Sequence, residues 1–142
     1  MKLTPQQIVE RMWGEDAFSQ ELGMEILDLG AGFCSVRLHV QASMVNGFKI
    51  AHGGITYSLS DSAMAFAANA HGKVAMSIET AISHVKKAVL GDVLTAHCKE
   101  LSRGKTVGRF EVEVKNQEEQ VVALFKGTVF YTEESWVGEM LD

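Results

Sequence analysis

Asn46-Gly47-Phe48-Lys49-Ile50-Ala51-His52-Gly53-Gly54-Ile55-Thr56-Tyr57-Ser58-Leu59-Ser60-Asp61 is the stretch whose reading decides the fold of this chain. It reads as a polar loop, a double-glycine corner, and a helix that runs on to about Asn69. At Gly53-Gly54 the backbone turns sharply and approaches another group closely, because glycine carries no Cβ. The helix that follows offers free N–H groups and a partial positive charge at its first turn, a place for an oxyanion. Between Lys49 and Lys73 the only formally charged side chain is Asp61. Its helical neighbours at three and four residues are Tyr57, Ser58, Met64 and Ala65, none of them basic. The remainder is Ala, Ile, Leu, Met, Phe and small hydroxyls, a composition expected to be buried nearly all round. A lone carboxylate in such a helix is costly unless something uses it.

Upstream, Thr4-Pro5-Gln6-Gln7 opens a helix with proline in the first turn and a T-x-x-Q capping box. Ile8, Val9, Met12 and Trp13 fall on one of its faces, Phe18 and Leu22 are expected to continue the packing through a short second turn, and Gly23 breaks it. Met24 to Leu29 and Phe33 to Val40 read as two strands joined by Gly30-Ala31-Gly32. Downstream, His71-Gly72 stops the long helix, and four extended segments follow at about 74–85, 92–101, 106–116 and 120–131. Residues from Thr132 on are acidic and are expected to fray, with Trp136 able to dock. Helix, two strands, one long apolar helix and four strands make an α+β domain. A six-stranded antiparallel sheet wrapped around a single central helix accounts for that order. The chain is expected to be one domain over 1–142, with an amino-terminal helix at about 4–20, a core at about 23–131 and a tail at 132–142.

Composition narrows the function. Of the 142 residues 46% are hydrophobic and 22% charged, ordinary for a globular protein, and the net charge of -5 argues against a broad nucleic-acid-binding surface. No signal-peptide pattern opens the chain and no apolar run approaches ~20 residues, so no membrane role is expected. Cys34 and Cys98 form no C-x-x-C pair and sit in strand-like segments, as buried reduced thiols of a cytoplasmic protein would. His39, His52, His71, His84 and His97 show no metal-ligand spacing, so no metal is expected. There is no dinucleotide fingerprint, Walker-type loop or nucleophile elbow.

Asn46-Gly47, His52-Gly53-Gly54, Ser60-Asp61, Gly91-Asp92 and the end strand Val122-Ala123-Leu124-Phe125-Lys126-Gly127 occur in an order and spacing that resembles the hotdog-fold acyl-CoA thioesterases. Within them the chain is most similar to the PaaI type, over about residues 20–131. The resemblance implies roles. The Gly53 N–H would polarise the thioester carbonyl and hold its developing charge. Asp61 would attack the thioester or activate a water. Asn46 would orient the water or the thioester, and His52 would assist from the corner. Gly54 would belong to the binding corner, and Lys86, Lys87 and Arg103, with Gly104 beside it, would receive the phosphates of coenzyme A. Where many relatives carry Leu-Arg-Pro after the first long strand, this chain has Val85-Lys86-Lys87, point charges in place of a bidentate fork. No cofactor is implied, since CoA is part of the substrate. The family also implies a homodimer in which Asp61 of one subunit faces Gly53 of the other, and a homotetramer built as a dimer of dimers. The two residues are 61 − 53 = 8 apart, ~12 Å along one helix, too far to grip one small group from the same chain.

Three functions compete at this point. The first is hydrolysis of an aryl-acetyl thioester such as (hydroxy)phenylacetyl-CoA. The second is a hotdog hydratase or dehydratase, which a lone Asp61 with a loop His52 fits less well. The third is an acyl-CoA-binding module without turnover, which the intact Asn46, Gly53 and Asp61 set counts against. Taken singly, Asp61 also reads as a buried structural carboxylate, Asn46-Gly47 as a turn, His52 as a corner-fixing residue, and the basic residues as solvated surface.

Overall fold

The computed structural model describes residues 2–137. The amino-terminal helix is split in two, α1 (Pro5–Glu15) and α2 (Ala17–Glu21). The capping box forms at α1: Gln7 N–H donates to Thr4 Oγ1 at 3.2 Å and Thr4 N–H to Gln7 Oε1 at 2.9 Å. Asp16 ends α1 and caps α2, its Oδ1 accepting the Ser19 N–H at 3.0 Å. That cap turns Ser19 into the core and Phe18 outward, so Phe18 is 61% exposed rather than packed as expected.

Strands β1 (Glu25–Gly30) and β2 (Phe33–His39) form the expected hairpin, its turn closed by Gly32 at φ +88°, a conformation glycine adopts without strain. The long helix α3 (Gly53–Asn69) then carries the chain to β3 (Lys73–His84), β4 (Val93–Arg103), β5 (Val107–Lys115) and β6 (Val121–Ser135). The six strands make one antiparallel sheet in the order β1-β2-β4-β5-β6-β3, with α3 lying against β2 to β6. Alternation decides which face covers the helix. Val36 and Leu38 on β2, Leu94 and Ala96 on β4, and Phe110, Val112 and Val114 on β5 are buried against it, while Arg37, His97 and Glu113 point away.

Two expectations change. Residues 132–135 do not fray: β6 continues through them, with Ser135 opposite Lys73, and Trp136 is anchored beyond. Residues 138–142, the rest of the expected tail, lie outside the described residues. Nor is α3 buried all round in one chain. Leu59, Ala63, Phe66 and Ala67 face the sheet, whereas Gly54, Ser58, Asp61, Ser62 and Ala65, spaced three and four apart, form a stripe left partly open. Among the described residues no helix is long and apolar enough to cross a membrane.

Cys34 and Cys98 are free, buried, and opposite each other in the β2–β4 register. Burial lifts the Cys34 thiol to about 12, with Asp28 adding to the lift, and it raises Cys98 as well. Both thiols are therefore expected to resist a disulfide reagent in the folded protein and to react together on unfolding. Unfolded thiols ionise near ~8.5. Above that pH only the unfolded state sheds these protons, so stability falls as pH rises from there toward the folded values. A denaturation midpoint that climbs over that interval would contradict the assignment.

Candidate active site

The double-glycine corner is built from its loop. Asn46 Oδ1 accepts the N–H of Phe48 at 2.9 Å and of Ile50 at 3.4 Å, closing a turn in which Lys49 takes φ 62°. The loop is stitched to the segment that follows β3 by the Ala51 N–H donating to Ala88 O at 2.7 Å. His52 caps α3: its N–H donates to Met44 O, and its Nδ1 accepts the Gly54 N–H at 2.9 Å. Gly54 thus has its donor occupied. The Gly53 N–H, first in the helix, meets no acceptor among the described residues.

His84, which sequence reasoning passed over, stands against this corner. The Thr56 hydroxyl donates to Gly53 O at 3.1 Å; its single proton spent, the oxygen accepts from His84 Nε2–H at 2.7 Å. A Cβ on Gly53 would come within 3.2 Å of His84 Cε1, so the close packing wants glycine there. Asn46, Gly53, Thr56, His84, Lys86 and Lys87 line one cavity of about 310 Å³. Asn46 Nδ2 remains uncommitted among the described residues.

Asp61 lies two turns along α3 and opens on a different cavity, of about 490 Å³. No hydrogen bond or ion pair among the described residues holds its carboxylate. Burial raises its pKa above the usual carboxylate value, and the neighbouring charge of Asp16 raises it further. Asp16 is the second residue that sequence reasoning missed; an aspartate just ahead of Ala17-Phe18-Ser19 is a favoured N-cap residue, the signal that could have found it. Its Oδ2 accepts the Ser19 hydroxyl at 2.7 Å, and Ser19 Oγ in turn receives Ser62 Oγ–H at 2.8 Å. The chain Asp16–Ser19–Ser62 fastens α2 to α3 beside Asp61.

Arg103 and Gly104 border a third cavity, of about 430 Å³, with His71, Lys73, Lys105 and Tyr131. Arg103 donates to His71 Nδ1, and His71 Nε2–H donates to Glu100 Oε1 at 2.8 Å. The buried Tyr131 hydroxyl has no partner among the described residues, and burial, with Glu100 nearby, pushes its pKa up to about 12. One chain therefore brings Asn46, Gly53, Lys86 and Lys87 together, sets Asp61 apart from them, and holds Arg103 and Gly104 beyond the opposite end of α3. His52 and Gly54 shape the corner and line none of the three cavities.

What the arrangement can do is narrow. A free N–H at a helix start suits a developing oxyanion, and an unpartnered, desolvated carboxylate suits a base or nucleophile. Residues 48–123 match the thioesterase superfamily. The acyl-coenzyme A thioesterase PaaI of Escherichia coli is 37% identical, over 82% of this chain and 83% of that protein. The solved structure of the E. coli PaaI protein from the phenylacetic acid degradation operon superposes with a TM-score of 0.90 at 34% identity, covering 92% of this chain and 95% of that one. A hypothetical thioesterase protein from Streptococcus pneumoniae solved with coenzyme A superposes at 0.83 and 27% identity, covering 89% of this chain and 98% of that one. The chain belongs to the thioesterase superfamily, and its fold is the hotdog fold.

Proposed function

We propose that the chain hydrolyses acyl-CoA thioesters, aryl-acetyl thioesters such as (hydroxy)phenylacetyl-CoA foremost, to the free acid and CoA. One observation carries this reading: α3 presents an uncommitted N–H at Gly53 and an unpartnered carboxylate at Asp61, on separate cavities of one chain. Two copies complete the site. The open stripe Gly54, Ser58, Asp61, Ser62 and Ala65 lets a second α3 approach closely. Beside it β3 is an edge strand with Met76 58% and Ile78 61% exposed, an edge that a second β3 would cover. With the two-fold axis at the level of residue (53 + 61)/2 = 57, Asp61 faces Gly53 of the partner subunit. Lys86 and Lys87 beside the Gly53 corner, with Lys73 and Arg103 beyond the other end of α3, supply basic side chains for the CoA phosphates. Two such dimers would make the tetramer.

In the reaction Asp61 takes a proton from water as the water oxygen adds to the carbonyl carbon. The carbonyl electron pair moves onto oxygen and is held by the Gly53 N–H of the partner subunit. Collapse of that tetrahedral species breaks the C–S bond and expels the CoA thiolate, which is then protonated. If instead a carboxylate oxygen of Asp61 attacks, an acyl anhydride forms with loss of the thiolate, and water then cleaves it at the acyl carbon or at Asp61 Cγ; after a single turnover in ¹⁸O-water, label in Asp61 marks the anhydride route cleaved at Cγ, since direct hydrolysis labels the product acid alone. Two free buried thiols suit a reducing compartment, so the cytoplasm is the setting. Thiol release from a panel of acyl-CoAs tests the function. Turnover is expected from the wild type on phenylacetyl-CoA and none above background from Asp61→Ala. Tight acyl-CoA binding with no release by either protein points instead to a binding module.

A further inference from the structure

The Asp61 cavity has a wall made by the carboxyl-terminal end of β6. Trp136 Nε1–H donates to Asn69 Oδ1 at 2.9 Å, and its backbone N–H donates to Gly72 O at 2.8 Å. Asn69 is 2% exposed and fully used. Its Oδ1 also accepts the Ala75 N–H at 2.9 Å, and its Nδ2 donates to Ala65 O at 2.8 Å and Ala75 O at 3.1 Å. One buried amide therefore ties the end of α3, the start of β3 and the indole together, which fixes the ring in place and in orientation.

The indole shares the 490 Å³ cavity with Asp61, Phe18, Met12 and Phe66. Phe18 is held outward from the core by the Asp16 cap on α2, so three aromatic side chains, Trp136, Phe18 and Phe66, border the space from separate elements. The volume falls in the range of small-molecule sites, and flat apolar walls favour a flat apolar guest beyond the area it buries. Among the described residues the charged ones around the cavity are Glu15, Asp16 and Asp61, all acidic, with no basic residue in its lining. An acyl group ending in a carboxylate would enter that field with no cation of the same chain to meet it.

We propose that Trp136 is the specificity-determining wall of the acyl pocket, which takes an uncharged aromatic acyl group and turns away acyl groups that carry a carboxylate. The inference rests on the thioesterase reading above, with the reacting carbonyl at Asp61.

The test compares kcat/KM for phenylacetyl-, hexanoyl- and succinyl-CoA in wild type, Trp136→Ala and Trp136→Phe. The wild type is expected to prefer phenylacetyl-CoA and to use succinyl-CoA worst. Trp136→Ala should lower the phenylacetyl-to-hexanoyl ratio about tenfold or more, and Trp136→Phe should recover most of it. An equal loss on both substrates makes Trp136 structural and overturns the proposal, as does a wild type that uses succinyl-CoA as well as phenylacetyl-CoA. A second readout does not depend on turnover. In a Trp13→Phe background Trp136 is the sole tryptophan, and titration with the uncharged phenylacetamide should quench it saturably. Quenching without thiol release from any acyl-CoA upholds the aromatic pocket and sinks the thioesterase reading. Turnover without quenching does the reverse.

Discussion

Asp61→Asn is expected to lower kcat for thioester hydrolysis by about a thousandfold, to leave KM within a few-fold, and to raise the melting temperature. Asparagine keeps the shape of the side chain and removes its capacity to take a proton, and a positioned base is worth roughly 10²–10⁴ in rate. The pH profile should carry the same signature. Burial, then the charge of Asp16, holds the Asp61 pKa above its ordinary value, so the acid limb of kcat/KM should lie above ~3.9. Asp16→Asn should move that limb down, because asparagine still caps α2 while removing the neighbouring charge. The stability effect has the opposite sign to the catalytic one. The folded state holds the Asp61 proton more tightly than the unfolded state does, so stability is lost as pH rises through the folded pKa. At neutral pH the wild type bears that cost and the asparagine variant does not. In acid, where both states of the wild type are protonated, the two melting temperatures should converge. A variant that keeps wild-type turnover, or that melts lower at neutral pH with no acid convergence, removes Asp61 from the role argued for it.

How much of this was legible in the sequence varies with how local the cause is. The long helix and the strands around it announce themselves through periodicity, and Asp61 through being the only charge between Lys49 and Lys73. The Thr4 capping box is likewise a matter of residues three apart. Trp136 reads as able to dock, but its place was hidden because what orders it lies elsewhere: β6 runs on to Ser135 by pairing with Lys73, and the indole is held by Asn69, 67 residues away. An acidic stretch of Glu133-Glu134-Ser135 gives no local hint of either. Phe18 was misplaced because an apolar residue beside a helix reads as core until the Asp16 cap fixes which way α2 turns. The open stripe of α3 was invisible for a related reason. Gly54, Ser58, Ser62 and Ala65 are as compatible with burial under a sheet as with close approach of a second helix, and composition does not separate the two. The basic residues Lys86, Lys87 and Arg103 looked like one rim because nothing in their spacing reveals that they stand beyond opposite ends of α3.

Gly53→Pro should be the cleanest removal of the oxyanion donor, and mixing it with Asp61→Ala should restore activity that neither protein has alone. Proline is tolerated at the first position of a helix, where the N–H has no intrahelical partner. The residue before a proline is confined to extended backbone, and His52 is already there at φ -57°, ψ 140°. The crowded contact is His84 Cε1, 3.2 Å from a Cβ at Gly53, and an exposed ring at the mouth of a cavity can shift by that little. The backbone of the corner should therefore persist while the N–H disappears, at a loss of about 10²–10³ in kcat. In a dimer with shared sites, a mixed pair holds one site with both defects and one with neither. Equal mixing makes half the dimers mixed, each with one intact site of two, so about a quarter of wild-type activity should return after the subunits exchange. If instead each chain used its own Gly53 and Asp61, every site in the mixture would carry one defect, and no activity would appear beyond the sum of the two variants. The ~12 Å between the two residues along one helix favours the first outcome. Recovery should follow the kinetics of subunit exchange, which a gel-filtration time course on differently tagged variants would report independently of turnover.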